Sequence, residues 1–127
     1  MKKIINTSNA PDPVGPYNQA VVHNYTLYVS GQIAINPASG ELVLEDIEKE
    51  TRQVMENHRA ILTEAGLTFK DVLKCTIFVS DMGNYGKING VYGEYFDEKT
   101  APARELVEVA RLPKDVNIEI SLIAAFA

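Results

Sequence analysis

An α+β fold, one mixed β-sheet with two helices packed on one face, follows from three features of this sequence. Runs of alternating apolar and polar residues sit near both ends of the chain and in its middle. Between them lie two segments whose apolar residues recur every three or four positions, the spacing of an amphipathic helix. The order of elements is hairpin, helix, strand, helix, hairpin, which suits helices segregated to one side of a sheet. With 127 residues, residues 1–127 are expected to form a single domain that buries roughly two thirds of its unfolded surface.

The first element is a hairpin in "QAVVHNYTLYVSGQI", residues 19–33, with its turn expected at His23-Asn24. In its second strand Leu27, Val29 and Ile33 share one face, and Tyr28, Ser30 and Gln32 the other. "NPASGE" (36–41) combines Pro and Gly and predicts a loop. Residues 46–65 carry the clearest helical pattern, with Ile47, Val54, Met55, His58, Ile61, Leu62 and Ala65 on one stripe. Asp46 can cap its start and Gly66 can end it. In "DVLKCTIFVSD" (71–81), Leu73, Cys75, Ile77 and Val79 alternate, predicting a strand with one buried face.

Residues 84–97 predict a second helix with a stripe of Tyr85, Ile88, Tyr92, Tyr95 and Phe96. Gly86, Gly90 and Gly93 fall along one side of it, where close packing against the sheet would explain them. "ARELVEVAR" and "VNIEISLIAAFA" read as a closing hairpin joined at Leu112-Pro113-Lys114-Asp115. The last strand turns Val116, Ile118, Ile120, Leu122, Ala124 and Phe126 to one face, and Asn117, Glu119 and Ser121 to the other. The sheet face without helices is expected to hold Tyr28, Phe78, Leu106 and Ile123, a half-apolar surface that would seek a second copy of the chain.

Composition narrows the functional classes. A net charge of −5 with no basic stripe argues against nucleic-acid binding, whose affinity comes mainly from Lys and Arg on phosphates. No apolar run approaches the ~20 residues of a membrane span, and "MKKIINTSN" lacks the apolar stretch of a signal peptide. A single cysteine, Cys75, cannot form an intrachain disulfide and fits a reducing, cytoplasmic setting. Its alternation with core residues makes it a small buried hydrophobe. His58 and His23 have no metal-ligand spacing and read as structural.

Arg104 and Glu119 are the candidates for chemistry. Arg104 reads either as a solvated charge at a strand start or as a planar fork gripping a carboxylate, with Leu106 walling the same side. Glu119 reads either as a solvent-facing acid or as a carboxylate that orients or deprotonates water near that arginine. Gly31 would let a ligand approach the backbone or would simply form a bulge.

Taken together, "GPYNQA", "YVSGQIAINPASGE", "TIFVSDM", "VYGEYF" and "PARELVEVARLPKDVNIEI" resemble the reactive intermediate deaminase family, RidA, also called YjgF. The resemblance covers nearly the whole chain. It implies a chorismate-mutase-like fold assembled as a homotrimer, with ligand clefts at subunit boundaries and no metal or organic cofactor. It implies hydrolysis of 2-imino or enamine acids, such as 2-iminobutanoate and 2-iminopropanoate, to 2-oxo acids and ammonia. Arg104 resembles the residue that binds the substrate carboxylate, and Glu119 the acid that positions water. Tyr17, Ser30, Gly31 and Asn89 match residues lining the cleft. Many members have cysteine where this chain has Leu106, so the resemblance implies a shifted side-chain preference. A non-catalytic module binding 2-oxo acids is the alternative, with RNA cleavage or translation inhibition as a third reading.

Overall fold

The computed structural model describes every residue, Met1–Ala127. Six strands form one mixed sheet: β1 (Lys3–Ile5), β2 (Ala20–His23), β3 (Thr26–Gln32), β4 (Val72–Val79), β5 (Ala103–Glu108) and β6 (Ile118–Ala125). Helices α1 (Ile47–Glu64) and α2 (Tyr85–Tyr92) cross one face. The strand order is β1-β2-β3-β6-β4-β5. Only the β4–β5 pair is parallel.

The core lies between sheet and helices. Leu27, Val29, Cys75, Ile77, Val79, Ile118, Ile120 and Leu122 meet Val54, Met55, Ile61 and Leu62 of α1 and Ile88 of α2. Asp46 caps α1 by accepting from the Lys49 amide at 2.8 Å. Gly66, at φ +80°, takes the left-handed conformation that ends the helix. The hairpin turn falls one residue later than the sequence suggests. His23 pairs with Thr26, and Asn24 and Tyr25 both have positive φ, as a two-residue type I′ connection requires.

The expected closing hairpin does not form. β5 runs parallel to β4 at the sheet edge, while β6 inserts between β3 and β4. The path β4-α2-β5 is a strand–helix–strand crossover, which returns the chain parallel to the strand it left. A turn at Pro113–Asp115 then carries the chain over to the sheet's centre. Alternation sets which residues share a face but says nothing of which strands are neighbours.

Other expectations shift for local reasons. A register irregularity between Val72 and Lys74 puts Val72 in the core and leaves Leu73 exposed. α2 closes at Tyr92, so Tyr95 and Phe96 pack from beyond its end, where Phe69 meets both rings edge-on. Gly86 and Gly90 do not serve close packing, because a Cβ on either would meet nothing within 4 Å. Leu106 is aligned with Ile77 and therefore lies on the helix-covered face, not the open one.

Four polar residues of α1 are buried with partners, Thr51 by donating to the Ile47 carbonyl one turn back. Glu50 accepts from the Asn117 amide and side-chain nitrogen at 2.8 and 2.7 Å, tying the helix start to the approach of β6. Asn57 donates to the carbonyls of Ile33 and Ile35. His58 Nε2 lies 2.6 Å from the Ile120 carbonyl, so this nitrogen carries the proton and donates.

Complete burial lowers the His58 pKa to about 4. The unfolded chain therefore binds a proton that the folded chain refuses between pH 6.5 and 4. Stability is full above pH 6.5 and falls as pH drops through this window, by about 3 kcal/mol from this residue. Urea unfolding across pH 4–7 should show that loss. His58→Gln, which keeps a donor for Ile120, should show a flatter profile.

Candidate functional site

The predicted site residues fall into two groups on opposite sides of the sheet. Arg104 is aligned across β4 with Cys75, and Cys75 with Leu122, all on the helix-covered face. Glu119 is three positions from Leu122 on β6, so its side chain emerges on the open face, in register with Phe78. Within one chain, Arg104 and Glu119 are thus not neighbours. The hairpin adjacency expected for them is corrected by the intervening β4.

The first group is built around Arg104. Nη1 donates to Asn89 Oδ1 at 2.8 Å, and Nη2 donates to the Tyr85 hydroxyl at 2.9 Å. The guanidinium carbon sits 4.9 Å from the Tyr92 ring centroid. Tyr85, Asn89 and Tyr92 come from one side of α2, at spacings of four and three residues, which is why a helix can surround one arginine. No carboxylate lies within ion-pair distance of Arg104. The adjacent Glu105 turns to the other face and pairs with Lys74 at 3.1 Å.

The guanidinium is therefore fixed by neutral acceptors and paired with no acid, with donors to spare for an anion. Beside it opens a cleft of ≈ 370 Å³ lined by Asn89, Tyr92, Phe96, Pro102 and Arg104, among others. Beneath it lie the Cys75 thiol, whose pKa burial pushes up, and the Tyr92 hydroxyl, likewise raised by burial. Leu106, two positions along β5 on the same face, packs against the core instead of lining this cleft.

The second group gathers where β3 is bulged. Its pairing with β6 slips between Val29 and Gln32, leaving Ser30 and Gly31 in the irregular stretch. The Glu119 carboxylate folds over Gly31: a Cβ there would stand 2.7 Å from Oε2. Glycine thus leaves the room that the acid above it occupies. Gly31→Ala should push the Glu119 carboxylate aside and lower any activity that depends on Glu119, as turnover would show. Partial burial raises the Glu119 pKa above the usual carboxylate range.

Tyr17 and Gly31 line one cleft of ≈ 310 Å³ with Pro11, Val14 and Ile33. Ser30 serves this group indirectly, donating from its hydroxyl to the Asn18 carbonyl at 2.6 Å. Buried Gln19 supports the same loop, since its side-chain nitrogen donates to the carbonyls of Thr7, Ala10 and Pro11. Sequence reading missed Tyr85, Tyr92 and Gln19. The i, i+4 spacing of Tyr85 and Asn89 was the available signal, but it acquires meaning only once α2 is placed beside β5. Nowhere do three or more His, Cys, Asp or Glu side chains cluster as metal ligands, and no helix is long and apolar enough to cross a membrane.

Comparison with known proteins identifies the frame that carries these two groups. The family profile of endoribonuclease L-PSP matches residues 7–126. A RutC family protein of Pyrococcus horikoshii is 53% identical over 124 residues, covering 98% of each chain. The chain belongs to the RidA/YjgF family. Another relative, TdcF of Escherichia coli, described as a reactive intermediate deaminase, is 45% identical over 98% of this chain and 97% of its own. The crystal structure of TdcF with bound serine superposes at a TM-score of 0.92 with 43% identity, covering 98% of this chain and 99% of that one. The YjgF gene product of the same organism superposes equally at 0.92, with 45% identity over 98% and 99%. RidA/YjgF membership and the six-stranded fold thus rest on sequence and structure together.

Proposed function

We propose that the chain is a deaminase that hydrolyses 2-imino and enamine acids, with 2-iminobutanoate and 2-iminopropanoate as substrates, to 2-oxo acids and ammonia. The observation that carries this reading is Arg104: a guanidinium held by Asn89 and Tyr85, free of any acid, beside an open cleft. Its N–H groups suit the planar carboxylate shared by these substrates. The description of TdcF as a reactive intermediate deaminase, and the serine bound to it, support a small α-substituted carboxylic acid as ligand.

Catalysis then needs water at the C=N carbon next to the anchored carboxylate. Glu119 orients that water and accepts its proton as the C–O bond forms, giving a carbinolamine. With the imine protonated on nitrogen the carbinolamine is neutral, and Glu119 returns its proton to the amino nitrogen. As the C–N bond breaks, the hydroxyl loses its proton to Glu119 and its O–H electron pair forms the C=O bond, leaving the 2-oxo acid and ammonia, which carries that last proton away as ammonium. No covalent enzyme intermediate is needed, so leucine at position 106 is compatible with turnover, and its bulk adjusts which side chains are accepted. Tyr17, Ser30, Gly31 and Asn89 complete the cleft without requiring a metal or organic cofactor.

Because Arg104 and Glu119 leave opposite faces of one sheet, the working site joins Arg104 of one chain to Glu119 of another. The open face supplies the surface for that contact: Tyr28, Phe78, Val107 and Ile123 stand on it with Thr76 and Ser121. A homotrimer, in the cytoplasm, is the assembly that goes with this reading. To test the function, 2-iminobutanoate is generated by a dehydratase and trapped with semicarbazide. The purified protein should suppress the trapped product. Binding of 2-oxobutanoate without suppression would instead mark a carboxylate-binding module, and a steeply salt-dependent affinity for RNA would favour the endoribonuclease reading.

A further inference from the structure

Arg104 could have been held in place by an acid, as exposed arginines elsewhere in this chain are. Arg52 binds Glu94 at 2.8 Å and Arg111 binds Asp115 at 2.7 Å. Arg104 instead has two neutral acceptors, one on each terminal nitrogen. Asn89 is one of the cleft residues. Tyr85 has no place in the cleft, and its ring is 40% exposed, so neither packing nor burial demands a hydroxyl there. A phenylalanine would fill the same volume. What the hydroxyl adds is a 2.9 Å bond to Nη2 and a second fixed point for the guanidinium plane.

Resting on the reading of Arg104 as carboxylate anchor, we propose that Tyr85 is a positioning residue that sets affinity for the substrate carboxylate by locking the Arg104 fork. With Asn89 alone, the guanidinium is pinned at Nη1 and can swing about that bond. With both acceptors, one on each terminal nitrogen, its plane is fixed above the Tyr92 ring, 4.9 Å away, and the remaining N–H groups are aimed before a ligand arrives. Pre-organisation of this kind lowers the ordering cost of binding. It acts on the carboxylate, whose charge is the same in the bound substrate and in the transition state, so its effect falls on KM more than on kcat.

Tyr85→Phe removes one oxygen and keeps the ring, whose centroid lies 5.7 Å from the guanidinium carbon. KM for 2-iminobutanoate in the trapping assay, and the calorimetric Kd for 2-oxobutanoate, should both rise roughly tenfold, the scale of one hydrogen bond to a charged group. The fall in kcat should be much smaller. A double-mutant cycle with Asn89→Ala should be non-additive, because both side chains act through one guanidinium. Thermal unfolding of Tyr85→Phe should match wild type, which separates positioning from structural loss.

Equal Kd and KM for wild type and Tyr85→Phe overturn the inference, as does strict additivity with Asn89→Ala. If wild type binds 2-oxobutanoate but does not suppress trapping, the deaminase reading fails while Tyr85 is still judged on Kd. If wild type does not bind 2-oxobutanoate at all, both fail.

Discussion

Arg104→Ala is expected to lower kcat/KM for 2-iminobutanoate at least roughly 100-fold, about 3 kcal/mol of transition-state stabilisation. The size follows from what the side chain does. It is the one cation lining the cleft and pairs with no acid, and its removal leaves the substrate carboxylate to be desolvated without a partner. Arg104→Lys should recover only a part of the loss, because an ammonium keeps the charge but cannot bond Asn89, Tyr85 and a bidentate carboxylate together. Folding should be nearly unaffected, since the guanidinium is only half-buried and makes no ion pair. The semicarbazide assay measures the activity, and urea unfolding checks the fold. Wild-type suppression by Arg104→Ala would remove Arg104 from the reaction.

Glu119→Gln is expected to abolish turnover by about 100-fold or more while leaving the Kd for 2-oxobutanoate close to wild type, because the amide keeps the shape but cannot take a proton from water. The wild-type pH profile should have an acid limb above the ordinary glutamate value of roughly 4.3, since burial raises the Glu119 pKa. Activity falls as pH drops through that raised value. For stability the sign is opposite: the folded chain holds this proton more tightly, so the contribution is lost as pH rises through the same range.

The placement of the two residues allows a stricter test. Inactive Arg104→Ala and inactive Glu119→Gln chains, unfolded together and refolded as a mixture, should regain activity. In mixed assemblies some sites combine an intact arginine from one chain with an intact glutamate from the next, about a quarter of them at equal mixing in a cyclic assembly. Each variant refolded alone should stay inactive. Absence of recovery in verified mixed assemblies would mean that the site does not span two chains.

Much of this was legible in the sequence where a periodic pattern coincided with burial. α1 is bounded by Asp46 and Gly66, as its capping residues predict, and the alternating faces of β4 and β6 are correct apart from Leu73. Strand neighbours were not legible. Arg104 and Glu119 sit on strands adjacent along the chain, yet β4 separates them and the pleat sends them to opposite faces. Gly31 was readable as a position admitting close approach, but the group that approaches it, Glu119, comes from a strand 80-odd residues away and leaves no local trace. Tyr85 looked like part of an apolar stripe because a phenol has both characters, and only its distance to Arg104 reveals which one is used.

Helix α2 has eight residues, and its two open glycines, Gly86 and Gly90, each weaken it by about 1 kcal/mol relative to alanine without any steric demand for them. It is held by Ile88, Val91 and Tyr92 alone among its buried side chains. The acceptors of Arg104 therefore ride on a short helix of low intrinsic propensity. Whenever α2 frays, the fork loses both supports together, and a carboxylate that captures the fork in turn disfavours fraying. Local helix–coil equilibrium and ligand affinity are then one thermodynamic quantity seen from two ends.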